Sequence, residues 1–480
     1  MLFNSIAYLL FLPIVFTLYW FVFNKKITYQ NILLLISSYF FYGWWSWQFL
    51  LLLAASTLLD FLYGFGVATR NKSKAKLFLW LSIINNLGIL GVFKYYNFFA
   101  LQFQNGFAQL GVHINPTLLH VALPVGISFY TFHGMSYVFD IYRKEREPVQ
   151  NFIEYAVFVS FFPLLVAGPI ERANHLLPQV QRKRKFSYTQ AAQGTKLILW
   201  GMLKKVVIAD TLSTRVDELF GNYKHQPGIT LIMGVIAFSF QIYGDFSGYS
   251  DIAIGSAKLF GFELLSNFKF PYFSRDLAEF WRRWHISLSS WFKDYLYIPL
   301  GGSKGGKGKA VRNTFIIFLV SGFWHGASWN FIAWGFLHAC GFMPLLLLGR
   351  NRKHVSNPIA RDTGVPGLKE LLQMLATFIY VSFAWIFFRA NTMAHAMDYI
   401  KHIALNLFND TAFLHHLWQD KKVVVYVLPL LLMEWWLRHD ERILKLSKYK
   451  WLNWMIITVL TLLIINYFFY SKAKFIYFQF

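Results

Sequence analysis

The sequence predicts an all-helical protein that crosses a membrane many times. Of the 480 residues, 56% are hydrophobic and only 14% are charged, which is far more apolar than the composition of a soluble domain. Apolar stretches long enough to cross a bilayer alternate with short basic clusters along the chain. These stretches predict about 11 or 12 transmembrane helices, with re-entrant or interfacial segments, in a single integral membrane domain over residues 1–480.

The net charge of +23 has two interpretations, binding to nucleic acid and contact with membrane lipids. The basic residues stand in short clusters between apolar stretches, as expected of loops that face an anionic cytoplasmic leaflet. This pattern favours membrane lipids as the partner and argues against nucleic acid. The single cysteine, Cys340, excludes a disulfide framework and a cysteine-based metal site.

The N-terminal stretch, residues 1–23, is predicted to remain as the first span. It has no basic region at its start and no small residues to mark a cleavage site at its end. Lys25 and Lys26 follow it and place that end in the cytoplasm. About 43 mostly apolar residues then precede Arg70, enough for two spans of about 20 residues each.

Two later stretches carry polar or helix-breaking residues inside apolar sequence. His133 and Asp140 are seven residues apart, so they share one face of a predicted helix. We interpret them first as a polar contact or the lining of a tunnel, with a catalytic role as the alternative. Pro163 and Pro169 interrupt the next apolar stretch and predict a broken, re-entrant segment that is buried in protein or lines a cavity.

A glycine-rich stretch after residue 243 contains Asp245 and Asp251. Small residues allow helices to approach closely, so this stretch is predicted to pack tightly at or near membrane depth. We favour helix capping or a buried polar contact for the two aspartates over a direct chemical role.

Residues 274–297 predict an amphipathic helix that lies in the cytoplasmic interface of the membrane. An apolar stripe and a charged side both follow helical spacing. The stripe consists of Phe280, Trp284, Leu288 and Trp291, and the charged side of Arg275, Glu279 and Arg283. His285 follows Trp281 by four residues and is therefore predicted to face the protein, as a packed residue or as a functional one.

The apolar stretch from Thr314 to Leu348 predicts one tilted span with His325 inside it. At about 1.5 Å per residue, His325 lies roughly 20 Å beyond Arg312, near the middle of the bilayer. An ionisable residue at that depth marks a functional site by default. Gly322 and Gly326 bracket it and predict a close approach by another helix or a slender substrate. The alternative is a buried histidine with one structural hydrogen bond, which is also our interpretation of His338.

Six motifs in this order resemble a known family. They are FYGWW at 41–45, LPVGISFYTFHGMSYVFDIYR at 123–143, FFPLLVAGPI at 161–170, GYSDIAIG at 248–255, FWRRWHISLSSWFKDYLYIPLGG at 280–302 and SGFWHGASWNFIAWG at 321–335. The family is that of the membrane-bound O-acyltransferases, in the branch that contains alginate O-acetylases, peptidoglycan O-acetyltransferases and teichoic acid D-alanyl transfer proteins. The last two motifs are the most specific.

The resemblance implies a helical bundle around a central funnel or tunnel in the bacterial cytoplasmic membrane. It implies His325 as the principal catalytic histidine and His285 as the second. The donor would be acetyl-CoA or another acyl thioester from the cytoplasm, with no metal and no tightly bound cofactor. A periplasmic or extracellular acetyltransferase partner would complete transfer to a glycan acceptor.

The residues then suggest a mechanism. His325, neutral in apolar surroundings, would act as general base on a hydroxyl that attacks the thioester, while His285 would orient the donor or relay the proton. Four tryptophans, His133 and Asp245 would line the tunnel or the donor site; the tryptophans are Trp281, Trp284, Trp324 and Trp329. The alternative is a transporter or scaffold subunit that exports an acyl group or polysaccharide without chemistry of its own.

Overall fold

The computed structural model describes residues 1–355, 359–360, 364–407, 415, 418, 420–442, 444, 449–469 and 475–476. These residues form helices, turns and loops, with no β-strand among them, which confirms the predicted all-helical class. The chain contacts define two compact units, one formed by Met1–Thr195 and Ala253–Leu265, the other by Lys196–Ile252 and Ser266–Phe480. The single integral membrane domain over residues 1–480 stays a prediction.

The first unit is built from helices α1 to α8 and the beginning of α9. Their bounds are α1 Ile6–Thr17, α2 Ile27–Gly43, α3 Trp47–Val67, α4 Lys72–Leu90, α5 Tyr96–Gln109, α6 Ile127–Tyr142, α7 Phe152–Ser160, α8 Ala173–Gln181 and α9 Tyr188–Met202. A π-helical turn extends α1 to Val22, and another joins α4 to α5.

A buried carboxyl organises the packing of α3, α4 and α6 in this unit. The carboxylate of Asp60 accepts hydrogen bonds from the Ser82 hydroxyl at 2.8 Å and the Asn86 amide at 2.9 Å. Gly134 of α6 lies against the same carboxylate, where a Cβ would overlap an oxygen. A buried polar group must be hydrogen-bonded to avoid a desolvation cost, so these contacts fix how the three helices meet.

The segment between α7 and α8 has irregular, buried backbone. It contains Pro163 and Pro169, and its residues from Phe161 to Glu171 are all buried. The predicted break in the helix is therefore confirmed. Proline removes a helical hydrogen bond, and irregular backbone of this kind is tolerated at membrane depth where protein surrounds it.

The second unit contains the end of α9 and helices α10 to α19. Their bounds are α10 Asp210–Gly221, α11 Gly228–Leu259, α12 Leu277–Arg283, α13 Ile286–Phe292, α14 Lys307–His325, α15 Trp329–Leu347, α16 Leu368–Arg389, α17 Met393–Asn406, α18 Lys421–Leu437 and α19 Lys450–Phe468. Helix α11 runs on into the first unit from Ala253. A π-helical turn, Leu203–Ala209, joins α9 to α10.

By length and composition, six helices in the described part of the chain can cross a membrane. They are Trp47–Val67, Lys72–Gln109, Gly228–Leu259, Trp329–Leu347, Leu368–Arg389 and Lys450–Phe468. Shorter apolar helices, such as Ile6–Val22, accompany them. The protein is thus a multi-pass membrane protein.

The stretch predicted as one tilted span over Thr314–Leu348 is a helical hairpin, so that prediction was wrong. Helix α14 ends at His325, the chain is extended at Gly326, and α15 begins at Trp329. Gly322 faces α15 so closely that a Cβ would overlap the carbonyl oxygen of Phe331. The predicted close approach at Gly322 is confirmed, and the partner is the second arm of the same hairpin.

Candidate active site

His285 lies at a break between α12 and α13 and is only 1% exposed. The single interfacial helix predicted over this stretch is interrupted here, because His285 adopts left-handed backbone with a φ of 42°. This conformation costs a non-glycine residue on the order of 1–2 kcal/mol. The Ile286 amide compensates by donating to the Asn267 carbonyl at 2.9 Å. The predicted apolar stripe on either side of the break is buried.

The charged side of this segment has the predicted pairing. Arg275 bonds Glu279 at 3.1 Å, and Arg283 bonds the same carboxylate at 2.8 Å. Arg275 and Glu279 are themselves buried, so these pairs pack the charged side of α12 inside the protein as well. The segment therefore presents His285 to the protein interior.

The His285 ring is held by one polar partner and several aromatic ones. Its Nδ1 lies 3.0 Å from Oδ1 of Asn267. The ring of Phe246 stands edge-on at 4.6 Å between centroids. Burial lowers the pKa of His285, which lies outside the membrane-spanning helices, to about 3. The ring is consequently neutral.

His325 is the last residue of α14 and is 3% exposed. Aromatic rings surround it, with centroid distances of 4.9 Å to Trp324, 5.1 Å to Trp334 and 5.3 Å to Phe388. Because the helix ends at this residue, the ring sits at the tip of the α14–α15 hairpin.

The structure brings the two histidines together within the second unit. Their ring centroids are 6.4 Å apart and the ring planes differ by 54°. Hydrogen bonds need heavy atoms within about 2.7–3.2 Å, so the rings do not bond to each other directly.

Two of the predicted tryptophans join this pair. Trp324 lies 6.0 Å from the His285 ring as well as beside His325. Trp284 is buried next to His285 and lies 5.1 Å from Trp385, which stacks at 5.6 Å on Trp334. The resulting group of rings, which we call the aromatic wall, consists of Trp284, Trp324, Trp334, Trp385 and Phe388.

The other two predicted tryptophans lie elsewhere. Trp281 packs on His338 at 4.9 Å and on Phe318 at 5.2 Å, one helical turn from the histidine pair. Trp329 is 54% exposed, because α15 begins at this residue and turns it outward. Trp334, five residues later, takes the place beside His325 that the sequence suggested for Trp329.

His133 has structural partners within the first unit. It is buried in α6, and its Nε2 accepts a hydrogen bond from the Glu171 amide at 3.1 Å. Its Nδ1 lies 3.5 Å from the Val159 carbonyl. These contacts link α6 to the irregular segment between α7 and α8, which supports the interpretation of His133 as a polar contact.

Asp245 belongs to a buried ion network in the second unit. Its carboxylate pairs with Lys205 at 2.7 Å and accepts a hydrogen bond from the Ile476 amide at 2.6 Å. Lys205 also pairs with Asp210 at 2.6 Å. The geometry supports a buried polar contact, the interpretation favoured from the sequence.

Two kinds of residue were missed by sequence reasoning. Trp334, Trp385 and Phe388 complete the aromatic wall. Trp334 lies within the motif at 321–335, but the spacing of the three residues does not distinguish them from ordinary apolar helix residues. Asn267, 18 residues before His285, lies in a loop without any motif. Across the described residues, no group of three or more histidine, cysteine or acidic side chains is arranged to hold a metal ion, and the absence of a metal and of a tightly bound cofactor stays a prediction.

Fold and site together define a multi-pass helical membrane protein with two buried histidines enclosed by aromatic rings. The model of the membrane-bound O-acyltransferase family matches residues 78–386. A probable alginate O-acetylase of Pseudomonas aeruginosa is 39% identical over 397 residues, covering 82% of this chain and 73% of the relative. The peptidoglycan O-acetyltransferase of Helicobacter pylori is 32% identical and covers 100% of this chain and 98% of its own length.

A more distant relative is the teichoic acid D-alanyltransferase of Streptococcus thermophilus. It is 30% identical over 311 residues, which cover 62% of this chain and 70% of the relative. The family model spans well over half of the chain. This chain therefore belongs to the membrane-bound O-acyltransferase family and is an O-acyltransferase.

Proposed function

We propose that this protein moves an acyl group, in the first instance acetyl, from a cytoplasmic thioester toward hydroxyls of a cell-envelope polysaccharide. The observation that carries the proposal is the pair of buried histidines, 6.4 Å apart, behind the aromatic wall. The relatives named for alginate and peptidoglycan O-acetylation support a glycan as the final acceptor. The proposed location is the bacterial cytoplasmic membrane, because this one bilayer separates a cytoplasmic thioester from an envelope glycan.

In the proposed reaction, His325 is the general base. It takes the proton of an acceptor hydroxyl as the oxygen attacks the thioester carbonyl carbon. The carbon–sulfur bond then breaks, and the leaving thiolate takes up the proton that His325 had accepted, which returns the base to its neutral form. Positioned general-base assistance contributes roughly 10² to 10⁴ in rate. His285 would orient a substrate group beside this centre or relay the proton.

The aromatic wall would protect the thioester from hydrolysis. Bulky rings around both histidines leave little room for water, and a site without water also strengthens the polar interactions inside it. The acyl donor would be acetyl-CoA or an acyl carrier protein. An extracytoplasmic acetyltransferase partner would receive the acyl group or deliver it to the glycan, and membrane lipids would surround the helices.

Thioester turnover by the purified full-length protein tests the proposal. Release of free thiol should be measured with acetyl-CoA and, separately, with an acetylated acyl carrier protein, in the presence of a hydroxyl acceptor. Wild-type protein should turn over one of them, and His325→Ala should lower kcat by about 10²-fold or more while its thermal unfolding stays close to that of wild type.

Two outcomes would contradict the proposal. Unchanged turnover in His325→Ala would remove the assigned base. No turnover of either donor by folded wild-type protein, with partner and glycan supplied, would favour a transporter or scaffold subunit instead. His338→Gln provides a matched histidine control, because His338 packs among aromatic rings one layer away from the pair.

A further inference from the structure

We propose that Asn267 is a positioning residue that fixes His285 as a hydrogen-bond acceptor toward the bound substrate. In this arrangement His285 carries its hydrogen on Nδ1 and presents the lone pair of Nε2 to an O–H or N–H group. It cannot then donate a hydrogen bond to the thioester carbonyl oxygen. The inference rests on the proposed acyl transfer, and it assigns to His285 one of the two chemical roles that a neutral imidazole can take.

The side chain of Asn267 is fully enclosed and makes four polar contacts. Its Oδ1 accepts from the hydroxyl and amide of Ser287 at 2.9 Å and 3.4 Å, and it lies 3.0 Å from Nδ1 of His285. On the other side, Nδ2 donates to the hydroxyl of Ser250 at 3.0 Å. Both ends of the amide are thus engaged.

These contacts determine which end of the amide faces His285. The backbone N–H of Ser287 can only donate, so the amide atom that it meets must be the oxygen. The same oxygen lies beside Nδ1 of His285. Because two acceptors would repel each other there, Nδ1 must carry the hydrogen of the neutral ring, and Nε2 carries the lone pair.

Asn267 also holds the backbone of His285. Its carbonyl accepts the Ile286 amide at 2.9 Å, and two residues further the Lys269 amide donates to the Arg283 carbonyl at 2.9 Å. These bonds support the left-handed backbone at His285. One residue therefore fixes both the position of the ring and its tautomer.

The free end of the His285 ring points to a role in substrate binding. Nε2 is buried and has no hydrogen-bond partner among the residues that the structure describes. A buried acceptor left without a partner carries a desolvation cost. A substrate O–H or N–H between His285 and His325 would remove that cost on binding, which makes the site selective for a ligand that brings a polar hydrogen.

Nuclear magnetic resonance of histidine tautomers tests the inference without reference to activity. Full-length protein with ¹⁵N-labelled histidine side chains would be compared with His285→Gln to identify the His285 signals. Wild type and Asn267→Asp should show hydrogen on Nδ1 of His285, since a carboxylate keeps an acceptor there. Asn267→Leu should lose that single tautomer. Hydrogen on Nε2 in wild type, or an unchanged tautomer in Asn267→Leu, would overturn the proposal.

Turnover then links the tautomer to the reaction. Asn267→Leu should lower kcat by about 10²-fold, within the range of general acid–base effects, and Asn267→Asp should stay within about tenfold of wild type. Rescue by aspartate is the result that a merely structural role would not give. Wild-type kcat in Asn267→Leu, with His325→Ala inactive, would refute the positioning role and leave the proposed function intact.

Asn313 offers a matched control in the same unit. It is equally buried, but its partners lie elsewhere. Its Nδ2 donates to the carbonyls of Leu300 and Gly302 at 3.2 Å and 2.9 Å, and its Oδ1 accepts from Arg312 at 2.9 Å. Asn313→Leu should therefore leave the His285 tautomer unchanged, although it removes a buried amide. If the His285 tautomer changed in Asn313→Leu as well, the change would follow from any lost buried amide, and the positioning role of Asn267 would be refuted.

If wild type shows no thioester turnover, the proposed function fails, while the tautomer measurement still decides the role of Asn267.

Discussion

At the residue scale, the two histidines are held by different kinds of neighbour. His285 has a defined polar partner in Asn267, whereas His325 is enclosed mainly by aromatic rings. A ring fixed by a hydrogen bond keeps one tautomer, and a ring in apolar surroundings keeps its neutral form. The pair therefore combines one ring that has a hydrogen bond to Asn267 with one that is packed among aromatic rings.

Trp324 contacts both rings and should exclude water from between them. Trp324→Leu opens space in the aromatic wall, so water should compete with the acceptor hydroxyl. We expect the ratio of thioester hydrolysis to acyl transfer to rise by about tenfold, which corresponds to about 1.4 kcal/mol between the two barriers. Free thiol and acyl ester, measured in the same reaction, give this ratio.

The exposed Trp454 on α19 supplies the control for that experiment. Trp454→Leu removes an indole of the same size without touching the aromatic wall, and it should leave the ratio at the wild-type value. An unchanged ratio in Trp324→Leu would show that this tryptophan does not keep water out.

At the element scale, the α14–α15 hairpin decides where His325 lies. The two helices pack so tightly that glycine is required at Gly322 and Gly335, where a Cβ would overlap backbone of the facing helix. The hairpin carries His325 at its tip, next to the break between α12 and α13 that carries His285. Two interrupted helices thus build the pair. The break at His285 is held by the distant carbonyl of Asn267, and the hairpin by close packing of its two arms.

Gly322→Ala tests this packing. Forcing a methyl group against the carbonyl of Phe331 should destabilise the hairpin by about 1–3 kcal/mol, seen as a lower Tm of the purified protein in detergent. Turnover should fall with it, because His325 is three residues away on the same helix.

Gly308 is the matched control on the same helix. No atom lies within 4 Å of a Cβ added there, and alanine is favoured over glycine in a helix by up to about 1 kcal/mol. Gly308→Ala should keep or raise the Tm. A Gly322→Ala variant as stable as Gly308→Ala would mean that the helices can separate freely.

At the scale of the whole molecule, each compact unit has its own buried polar core. In the first, Asp60 of α3 accepts hydrogen bonds from two residues of α4 and packs against Gly134 of α6. In the second, Lys205 joins the π-helical turn to α10 and α11 through Asp210 and Asp245. Buried charges are stable only when they are paired and bonded, so such a network fixes the relative arrangement of its helices.

Lys205→Met should therefore be strongly destabilising. It would leave two buried carboxylates without their cation, at a cost of about 3–5 kcal/mol, and thermal unfolding should occur at a clearly lower temperature. The triple variant Lys205→Met, Asp210→Asn, Asp245→Asn should recover part of that loss, because no uncompensated charge remains.

An exposed ion pair in the same unit provides the control for Lys205→Met. Lys269 is half exposed and lies 3.4 Å from Glu441, and exposed pairs contribute about 0–1 kcal/mol. Lys269→Met should change the Tm little. If Lys205→Met and Lys269→Met changed the Tm equally, the buried network would contribute no more to stability than an exposed ion pair.

The amino-acid sequence by itself determined the helical class and the membrane environment, and it singled out His285 and His325 as candidate site residues. These features depend on local quantities, namely the apolar character of each residue, the period of a helix and the short motifs around His285 and His325. The broken backbone at Pro163 and Pro169 was predictable for the same reason, since proline acts within its own turn.

Only the tertiary structure decided where the helices at the site end and which residues surround the pair. A helix can end at an ordinary residue when a distant group bonds the freed backbone, as Asn267 does at Ile286. Because α14 ends at His325 and a new helix begins at Trp329, helical spacing does not continue from one to the other. Trp334 therefore contacts His325, whereas Trp329 is exposed. Such bonds join residues far apart in the chain, and no local pattern of apolar and polar residues contains them.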